Sequence, residues 1–264
     1  RRVQIGTVIM FSPEDYASIF NARADAYHEA MRHWPEARDA EFTTLFKGMS
    51  LKTGMHIIDV PSGGGYLARY LPDDVSLHHL ETSELFARLF EEEAHSGSKH
   101  PLTLCELERL PEQDNSTDLA CSLAGLHHIE DKTPLFRELF RVLKPGGWAR
   151  IADAHSESAT AKFLDGWMGN HNSMGHHGWY LNEGTLSTLQ EIGFTDVTAI
   201  NEEYHWVFSS EHEAATYCKR LFGIDLANVN EVREGIREHL GFETNANGAI
   251  GLRWSLFYIS ARKP

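Results

Sequence analysis

The sequence predicts an α/β protein built on a doubly wound, mostly parallel sheet of seven strands, with a helical cap before the sheet and a helical insertion late in the chain. Two observations predict this fold. From residue 55 onward, short apolar runs alternate with helix-like segments, which is typical of βαβ units in a parallel sheet. A glycine cluster follows the first of these runs, at the point where a strand would turn into a helix.

The start of the chain predicts the helical cap. Residues 12–15 read serine, proline, glutamate and aspartate, which combine a capping hydroxyl, a proline for the first turn and acids at the positive end of the helix dipole. This helix is expected to run to about Arg32, and the Trp-Pro pair at 34–35 ends it. A second helix is predicted over 36–48. Both helices precede the first core strand, so we assign residues 1–50 to the cap.

Residues 51–200 hold the predicted cofactor-binding core. Its strands are expected at 55–60, 75–81, 101–106, 117–123 and 148–154. Its helices are expected at 64–71, 83–95 and 132–143. A further helix begins at Asn182, whose side chain can cap it, and ends at Gly193.

Two long apolar stretches near the end of the chain, at 194–208 and 248–263, predict a final pair of strands. Helical segments across about 211–240 separate them and form the late insertion. Residues 201–264 therefore complete the sheet and carry part of a lid. We expect residues 1–264 to form a single domain, although the usual prior is roughly 100–200 residues per domain.

The charge of the chain restricts its partners. The formal net charge is −14, and no basic stripe offsets it. Such a surface repels phosphate backbones, so we expect no nucleic-acid partner. A neutral or cationic small molecule fits this charge more easily, although net charge decides little about a buried pocket.

The cysteine count and the apolar runs indicate the compartment. Three cysteines form no disulfide framework, which favours a reducing, cytoplasmic setting. No apolar run reaches the ~18 residues of a membrane span, so no membrane partner is expected. The opening RRVQIGTVIMF is only loosely similar to a signal peptide and is interpreted as an extended segment. Because the chain lacks an initiator methionine, we expect it to be truncated or processed.

The segment IIDVPSGGGYLA at 57–68 carries the first functional signal. A glycine-rich turn between a strand and a helix lets the backbone approach a nucleotide cofactor closely. Gly63, Gly65 and Ala68 also fit the turn of dinucleotide-binding proteins, so an NAD-dependent oxidoreductase remains open at this point. Glu81 ends the second predicted strand about 20 residues later, where an acid binds a ribose diol.

Further motifs follow in a characteristic order, namely CELERLP at 105–111 and RVLKPGGWARIAD at 141–153. Together with Asp59, the glycine turn and Glu81, this series resembles the class I S-adenosylmethionine-dependent methyltransferases, in particular their small-molecule branch of quinone and natural-product enzymes. The resemblance implies a Rossmann-like fold, S-adenosylmethionine as cofactor and a small-molecule methyl acceptor. The place after the fourth strand reads SLAGLHH, without the Pro-Pro tetrapeptide that nucleic-acid amino methyltransferases carry there.

The resemblance also implies a set of cofactor-binding residues. Glu81 would accept hydrogen bonds from both ribose hydroxyls, Glu106 and Leu107 would lie at the adenine, and Asp59 would orient the loop. The family usually has glycine where this chain has Pro61, which leaves the loop geometry and the affinity open. The full predicted set is Asp59, Pro61, Gly63, Gly65, Glu81, Thr82, Glu106, Leu107, Leu123 and Tyr27.

Histidines and aromatic residues mark the acceptor end. His127 and His128 follow the fourth strand, where the resemblance places the acceptor, and the loop HNSMGHHGWYL at 171–181 adds His177 and Tyr180. These four residues are the predicted catalytic candidates, although only an acceptor that must lose a proton needs a base. Histidines alone in this loop complete no known metal motif, so no metal is expected. Aromatic side chains of the loop and the insertion are expected to cover the acceptor: Trp179, Tyr180, Trp206, Phe208, Tyr217 and Phe222.

Two rival functions remain at the level of sequence. An oxidoreductase would explain the glycine turn but not the LKPGG motif, and the chain has no Tyr-x-x-x-Lys pair. A non-catalytic protein that binds the cofactor is compatible with Pro61. A homodimer is compatible with the sequence, and the position that is methylated, oxygen, nitrogen or carbon, stays open.

Overall fold

The computed structural model describes residues 16–93 and 99–264. The helix start predicted at 12–15 and the end of the helix predicted at 83–95 lie outside these residues. The helices are α1 (Tyr16–His33), α2 (Asp39–Leu45), α3 (Glu84–Glu93), α4 (Thr133–Val142), α5 (Ala159–Phe163), α6 (Glu183–Ile192), α7 (Glu211–Leu221) and α8 (Val229–His239). The strands are β1 (His56–Asp59), β2 (Ser76–Glu81), β3 (Leu102–Leu104), β4 (Thr117–Leu123), β5 (Leu143–Asp153), β6 (Thr195–Phe208), β7 (Phe242–Thr244) and β8 (Ile250–Arg262).

The sheet has the order β3-β2-β1-β4-β5-β8-β6, and β7 pairs with β8. Strands β1 to β5 pair in parallel, whereas β8 is antiparallel to β5, β6 and β7. The mostly parallel, doubly wound architecture is confirmed. The predicted count of seven strands was wrong by one, because the chain leaving α8 adds the short strand β7 before it turns into β8. Strand order reverses at β1, so ligands are expected at the carboxyl end of that strand.

Both faces of the sheet are covered, as the near-continuous apolar strands require. Ile57 and Leu119 belong to one buried cluster with residues of α1, α2, α5, α7 and α8. Their chain neighbours Ile58 and Ala120 belong to a second cluster with residues of α4 and α6. This alternation follows from the two-residue repeat of a strand, and it places the cap and the insertion on the same face.

A buried polar network fastens the cap to the end of the chain. Arg38 and Glu41 form an ion pair with almost no exposed surface. The other carboxylate oxygen of Glu41 accepts a hydrogen bond from Trp206 Nε1 at 2.8 Å, and its carbonyl accepts one from Tyr258 Oη at 2.9 Å. Trp206 lies on β6 and Tyr258 on β8, so the network joins three parts of the chain that are far apart in sequence.

Several predicted elements have different bounds. The helix expected at 64–71 is a 3₁₀ turn, Tyr66–Tyr70, that begins after a left-handed Gly65. Strand β5 begins before the expected turn at 144–147, and its register with β4 shifts there to accommodate these residues. Helix α5 and the π-helical turn that continues it, Leu164–Met168, were not predicted. In the described part of the chain, no helix is both long and apolar enough to cross a membrane.

Candidate active site

The glycine turn follows β1 at the point where the strand order reverses. Gly63 and Gly65 have φ values of 56° and 77°, a region that glycine adopts at low cost. Pro61 is buried beside Gly125, which follows β4. A Cβ atom on Gly125 would lie 2.8 Å from Pro61 Cγ, so the glycine in SLAGLHH makes room for the proline ring.

Glu81 at the end of β2 lies against this turn and is fully buried. One carboxylate oxygen accepts from the backbone N–H groups of Thr82 and Ser83, both at 2.8 Å. The other accepts from Gly63 N–H at 2.6 Å and from the Tyr16 hydroxyl at 3.2 Å. Burial raises the pKa of Glu81 to about 7, against the opposing effect of these hydrogen bonds. Four donors thus fix a carboxylate whose ionisation is poised near neutral pH.

Asp59 at the end of β1 has a histidine partner that no pattern in the sequence indicates. Its Oδ2 lies 3.1 Å from Nδ1 of His79, the residue opposite it on β2. Burial raises the pKa of Asp59, and the hydrogen bond to His79 opposes this shift. His79 Nε2 is buried and has no hydrogen-bond partner among the described residues.

A narrow cavity of about 40 Å³ lies over the carboxyl ends of β4 and β5. Its floor includes His127, His128 and Asp153, and α1 contributes Phe20 and Arg23 to its wall. The remaining lining residues are Tyr27, Arg38, Ala124, Ala154, Thr160, Leu164, Met168, His176, Trp206, Leu221, Phe222, Trp254 and Leu256. The aromatic and aliphatic side chains make the cavity mainly apolar, with its polar groups gathered on one side.

Three histidines form the polar side of this cavity. His127 Nδ1 donates to Asp153 Oδ1 at 2.8 Å, and its backbone N–H donates to Oδ2 at 2.9 Å. His176 Nδ1 donates to Asp165 Oδ1 at 2.7 Å. Burial lowers the pKa of His128 and lowers that of His176 to about 4, with positive neighbours adding to the effect. His128 and His176 are therefore neutral at neutral pH.

Helix α1 connects the glycine turn with this cavity. Its residue Tyr16 donates to Glu81, and the rings of Tyr16 and Phe20 both contact the His128 ring, with centroids 6.1 and 5.4 Å away. Phe20 in turn lies on the cavity wall. The side chains of Tyr16, Phe20 and His128 thus lie between the Glu81 carboxylate and the cavity.

Comparison with known proteins identifies the family. Residues 58–151, which run from β1 into β5, match the family model of the methyltransferase domain. A structure of Haemonchus contortus phosphoethanolamine N-methyltransferase 2, in complex with phosphomonomethylethanolamine and S-adenosylhomocysteine, superposes with a TM-score of 0.67 at 19% identity, covering 96% of this chain and 60% of that one. Residues 58–151 are a methyltransferase domain, and the chain has the fold of the class I S-adenosylmethionine-dependent methyltransferases. A second structure of the Haemonchus contortus enzyme contains S-adenosyl-L-methionine.

Two curated relatives of this chain are named for reactions of small molecules. The glycine/sarcosine/dimethylglycine N-methyltransferase of Actinopolyspora halophila is 31% identical over 54% of this chain and 26% of its own length. The ubiquinone/menaquinone biosynthesis C-methyltransferase of Xylella fastidiosa is 31% identical over 41% of this chain and 46% of its own length. The methyltransferase spans less than half the length of both relatives.

The geometry around Glu81 fits the sugar of the cofactor. The backbone N–H groups of Thr82 and Ser83, the two residues after Glu81, hold one oxygen of its carboxylate in place. The Tyr16 hydroxyl on the other oxygen is a neutral donor like a ribose hydroxyl, and at 3.2 Å its bond is the longest of the four. The predicted residues Asp59, Pro61, Gly63, Gly65, Glu81 and Thr82 are all in or beside the glycine turn. Their contact with the cofactor stays a prediction.

The remaining predicted cofactor residues lie farther apart. Glu106 is exposed and Leu107 is half-buried in the loop after β3, whose first residue, Cys105, donates its N–H to the Glu81 carbonyl at 2.8 Å. Leu123 ends β4 and is half-buried. Tyr27 lies on the cavity wall, and its hydroxyl accepts from Arg38 at 2.7 Å.

The four catalytic candidates do not all face the cavity. His127 and His128, which follow β4, line it. His177 has 67% of its side chain exposed and lies 4.0 Å from Asp165, at the outside of the loop. Tyr180 donates to Asp165 at 2.7 Å, where it supports His176. Any catalytic role for these four residues remains a prediction.

Sequence reasoning missed the cavity residues that need tertiary contacts to be recognised. Arg23 has no pattern around it that marks a site. Asp165, the hydrogen-bond partner of the cavity residue His176, lies in a helix that was not predicted. Among the expected lid aromatics, Trp206 and Phe222 line the cavity, whereas Tyr217 is fully buried in the core. The histidine-rich composition of the loop was the one signal that could have pointed to His176.

Proposed function

We propose that this chain transfers a methyl group from S-adenosylmethionine to a small-molecule acceptor held in the cavity below α1. Bound S-adenosylmethionine supplies an electrophilic methyl group on sulfur, which the acceptor takes by in-line displacement. The observation that carries the proposal is the position of α1. Its Tyr16 contacts the carboxylate of Glu81, the predicted ribose ligand, and its Phe20 and Arg23 line the cavity. Neighbouring compartments of this kind suit two ligands that must meet in one geometry.

On the cofactor side, Glu81 would hold the ribose diol. A ribose hydroxyl can take the place of the Tyr16 hydroxyl without changing the number of hydrogen bonds to the carboxylate. Asp59 and the N–H groups of the glycine turn remain the candidates for the amino-acid end, and Glu106 and Leu107 those for the adenine. These roles rest on the resemblance together with the position of each residue at the carboxyl edge of the sheet.

On the acceptor side, His127 is the best-placed proton acceptor. Asp153 holds its Nδ1–H, so the other ring nitrogen carries the lone pair. Burial opposes the charge of Asp153, but His127 and two backbone N–H donors outweigh it and hold the pKa of that carboxyl below its usual range. An ionised Asp153 would stabilise His127 after it takes a proton from an acceptor hydroxyl or ammonium group.

The cavity wall indicates the chemistry of the acceptor. Arg23 donates to the Phe222 carbonyl at 2.8 Å, and its Nε has no hydrogen-bond partner among the residues that the structure describes. Burial lowers the pKa of Arg23 to about 10, so it remains charged at neutral pH, and no ion pair joins it to an acid within the described residues. A half-buried cation of this kind favours an anionic group on the ligand. Local charge here outweighs the negative net charge of the chain.

We therefore propose an acceptor with a planar or apolar body and one acidic group. Trp206, Phe222 and Trp254 supply the apolar surface, and Arg23 would pair with the acid. The names of two relatives agree with this, since glycine and sarcosine carry a carboxylate and menaquinone biosynthesis proceeds on an apolar ring.

Methyl transfer from S-adenosylmethionine labelled on the methyl group tests the proposal, with a panel of aromatic carboxylic acids, phenols and small amino acids as acceptors. At least one acidic compound should be labelled. Arg23→Gln should lower kcat/KM for it by about 10- to 100-fold, the effect of losing a charged hydrogen bond. Arg23→Lys should retain more activity, and affinity for S-adenosylhomocysteine should be unchanged in both variants. Labelling of only neutral or macromolecular acceptors would contradict the proposed acceptor class.

A further inference from the structure

We propose that His127, His128 and His176 form a binding site for a divalent transition metal ion of the zinc type. Each of the three offers a ring nitrogen, and these nitrogens lie within 4.8 Å of one another. They come from two separate parts of the chain, the 3₁₀ turn Leu126–His128 after β4 and the loop before α6. No local sequence spacing encodes the group, because the fold alone brings it together.

The separation of the nitrogens is close to that of ligands around a bound zinc ion. Zinc–nitrogen bonds of about 2.0–2.1 Å in a tetrahedral site place the ligand nitrogens roughly 3.3 Å apart. The three rings therefore need to approach by about an ångström and a half at most, which small rotations of side chains supply. Imidazole is a preferred ligand for zinc, cobalt, nickel and copper, whereas magnesium and calcium prefer oxygen.

Two carboxylates support the proposed ligands in the way that is usual for metal-binding histidines. Asp153 accepts from His127 Nδ1 at 2.8 Å, and Asp165 accepts from His176 Nδ1 at 2.7 Å. Each bond fixes the ring and leaves Nε2 with the lone pair that a metal requires. Asp165 is itself held by the Tyr180 hydroxyl at 2.7 Å and by Gly178 N–H at 2.9 Å. The two carboxylates thus hold the rings of His127 and His176 in the orientation that a metal ligand needs.

The local charge also favours a cation. A metal requires its histidine ligands to be neutral. The two carboxylates and the nearby guanidinium of Arg23 then sum to one negative charge, so a divalent ion leaves the group with one positive charge. The acidic acceptor proposed above would neutralise that remainder. Three protein ligands leave a fourth position open toward the cavity, which is the arrangement of catalytic rather than structural zinc. An acceptor oxygen at that position would lose its proton to water more readily, so the metal would take over the role proposed above for His127, whose lone pair it occupies; this consequence rests on the proposed function.

Titration of the full chain with cobalt(II) tests the site, followed by its visible absorption, with zinc(II) calorimetry in parallel. We expect one tetrahedral cobalt per chain, displaced by one equivalent of zinc. His176→Ala should abolish this signal, and Asp165→Asn should weaken zinc affinity by about 10- to 100-fold. His212→Ala is the matched control, because His212 is exposed on α7 and should leave the stoichiometry unchanged.

Binding of S-adenosylhomocysteine to each variant is the second measurement. It shows that the chain is folded and separates the metal site from the proposed function. If wild type and His176→Ala, both binding that ligand, take up the same amount of cobalt, the ion is held only by surface histidines and the proposal is overturned. Absence of cobalt binding by the wild type would overturn it equally, and would leave the methyltransferase assignment untouched.

Discussion

Pro61 stands where the family pattern has glycine, and Gly125 provides the space that it needs. The two residues follow neighbouring strands, β1 and β4, and meet at the switch point of the sheet. Gly125 has a φ of −124°, which any residue can adopt. Its small size is therefore required by the Pro61 ring rather than by its own backbone.

This contact predicts a specific coupling between two substitutions. Gly125→Ala should cost about 1–3 kcal/mol of stability, because the added methyl group would overlap Pro61. In a Pro61→Gly background the same change should cost less, with a coupling energy of about 0.5–3 kcal/mol. Urea unfolding of the four chains measures it. Equal costs in both backgrounds would show that Pro61 does not determine the need for glycine at 125.

At the level of single residues, the sequence predicts the positions of site residues that lie at strand ends. It does not predict contacts that depend on tertiary packing. Glu81 could be predicted because an acid at the end of the second strand lies next to the glycine turn in any fold of this class. His79 could not, since its contact with Asp59 depends on strand register. His176 lay in a loop of unusual composition, but its proximity to His127 and His128 required the fold.

At the scale of elements, the cap is joined to the sheet by the buried pair Arg38–Glu41. Arg38 directly precedes α2 and Glu41 lies within it. Trp206 on β6 and Tyr258 on β8 donate hydrogen bonds to Glu41. Element order in the core could be predicted from hydrophobic periodicity. The anchoring of the cap could not be predicted, because charged residues in a helical cap are usually solvated. Nothing in the sequence shows that Arg38 and Glu41 are buried.

Breaking this pair should destabilise the protein strongly. Glu41→Gln conserves the volume but leaves the Arg38 charge buried without a partner, which should cost about 3–5 kcal/mol in the free energy of unfolding. Glu36→Gln is the matched control, since Glu36 pairs with Arg69 while 78% exposed and should cost less than about 1 kcal/mol. Urea denaturation compares the two. Similar small losses would mean that the buried pair does not anchor the cap.

At the scale of the whole molecule, the sheet gathers several functional candidates at one edge. The carboxyl ends of β1, β2, β4 and β5 carry Asp59, Glu81, the His127–His128 pair and Asp153, and α1 covers them. The topology makes this gathering predictable, because parallel strands place their carboxyl ends together. The assignment of the chain to one domain and its division at residues 50 and 200 remain predictions.

The pKa of Glu81 connects this architecture with the pH dependence of cofactor binding. Ribose hydroxyls donate to the carboxylate, so the ionised form binds and the protonated form binds less well. Since burial raises the pKa of Glu81 to about 7, affinity should be greatest above pH 7 and fall as the pH decreases below it. The loss should approach about tenfold per pH unit. Glu81→Gln should bind more weakly and lose this dependence.

Calorimetric titration with S-adenosylhomocysteine between pH 6 and pH 8, with NAD as the competing ligand, tests the central claim most directly. We expect a dissociation constant on the order of micromolar at pH 8, weaker binding at pH 6 and no binding of NAD. Binding of NAD without S-adenosylhomocysteine would contradict the assignment of the glycine turn and Glu81 to S-adenosylmethionine. Strong binding that does not change with pH would place the ribose away from Glu81.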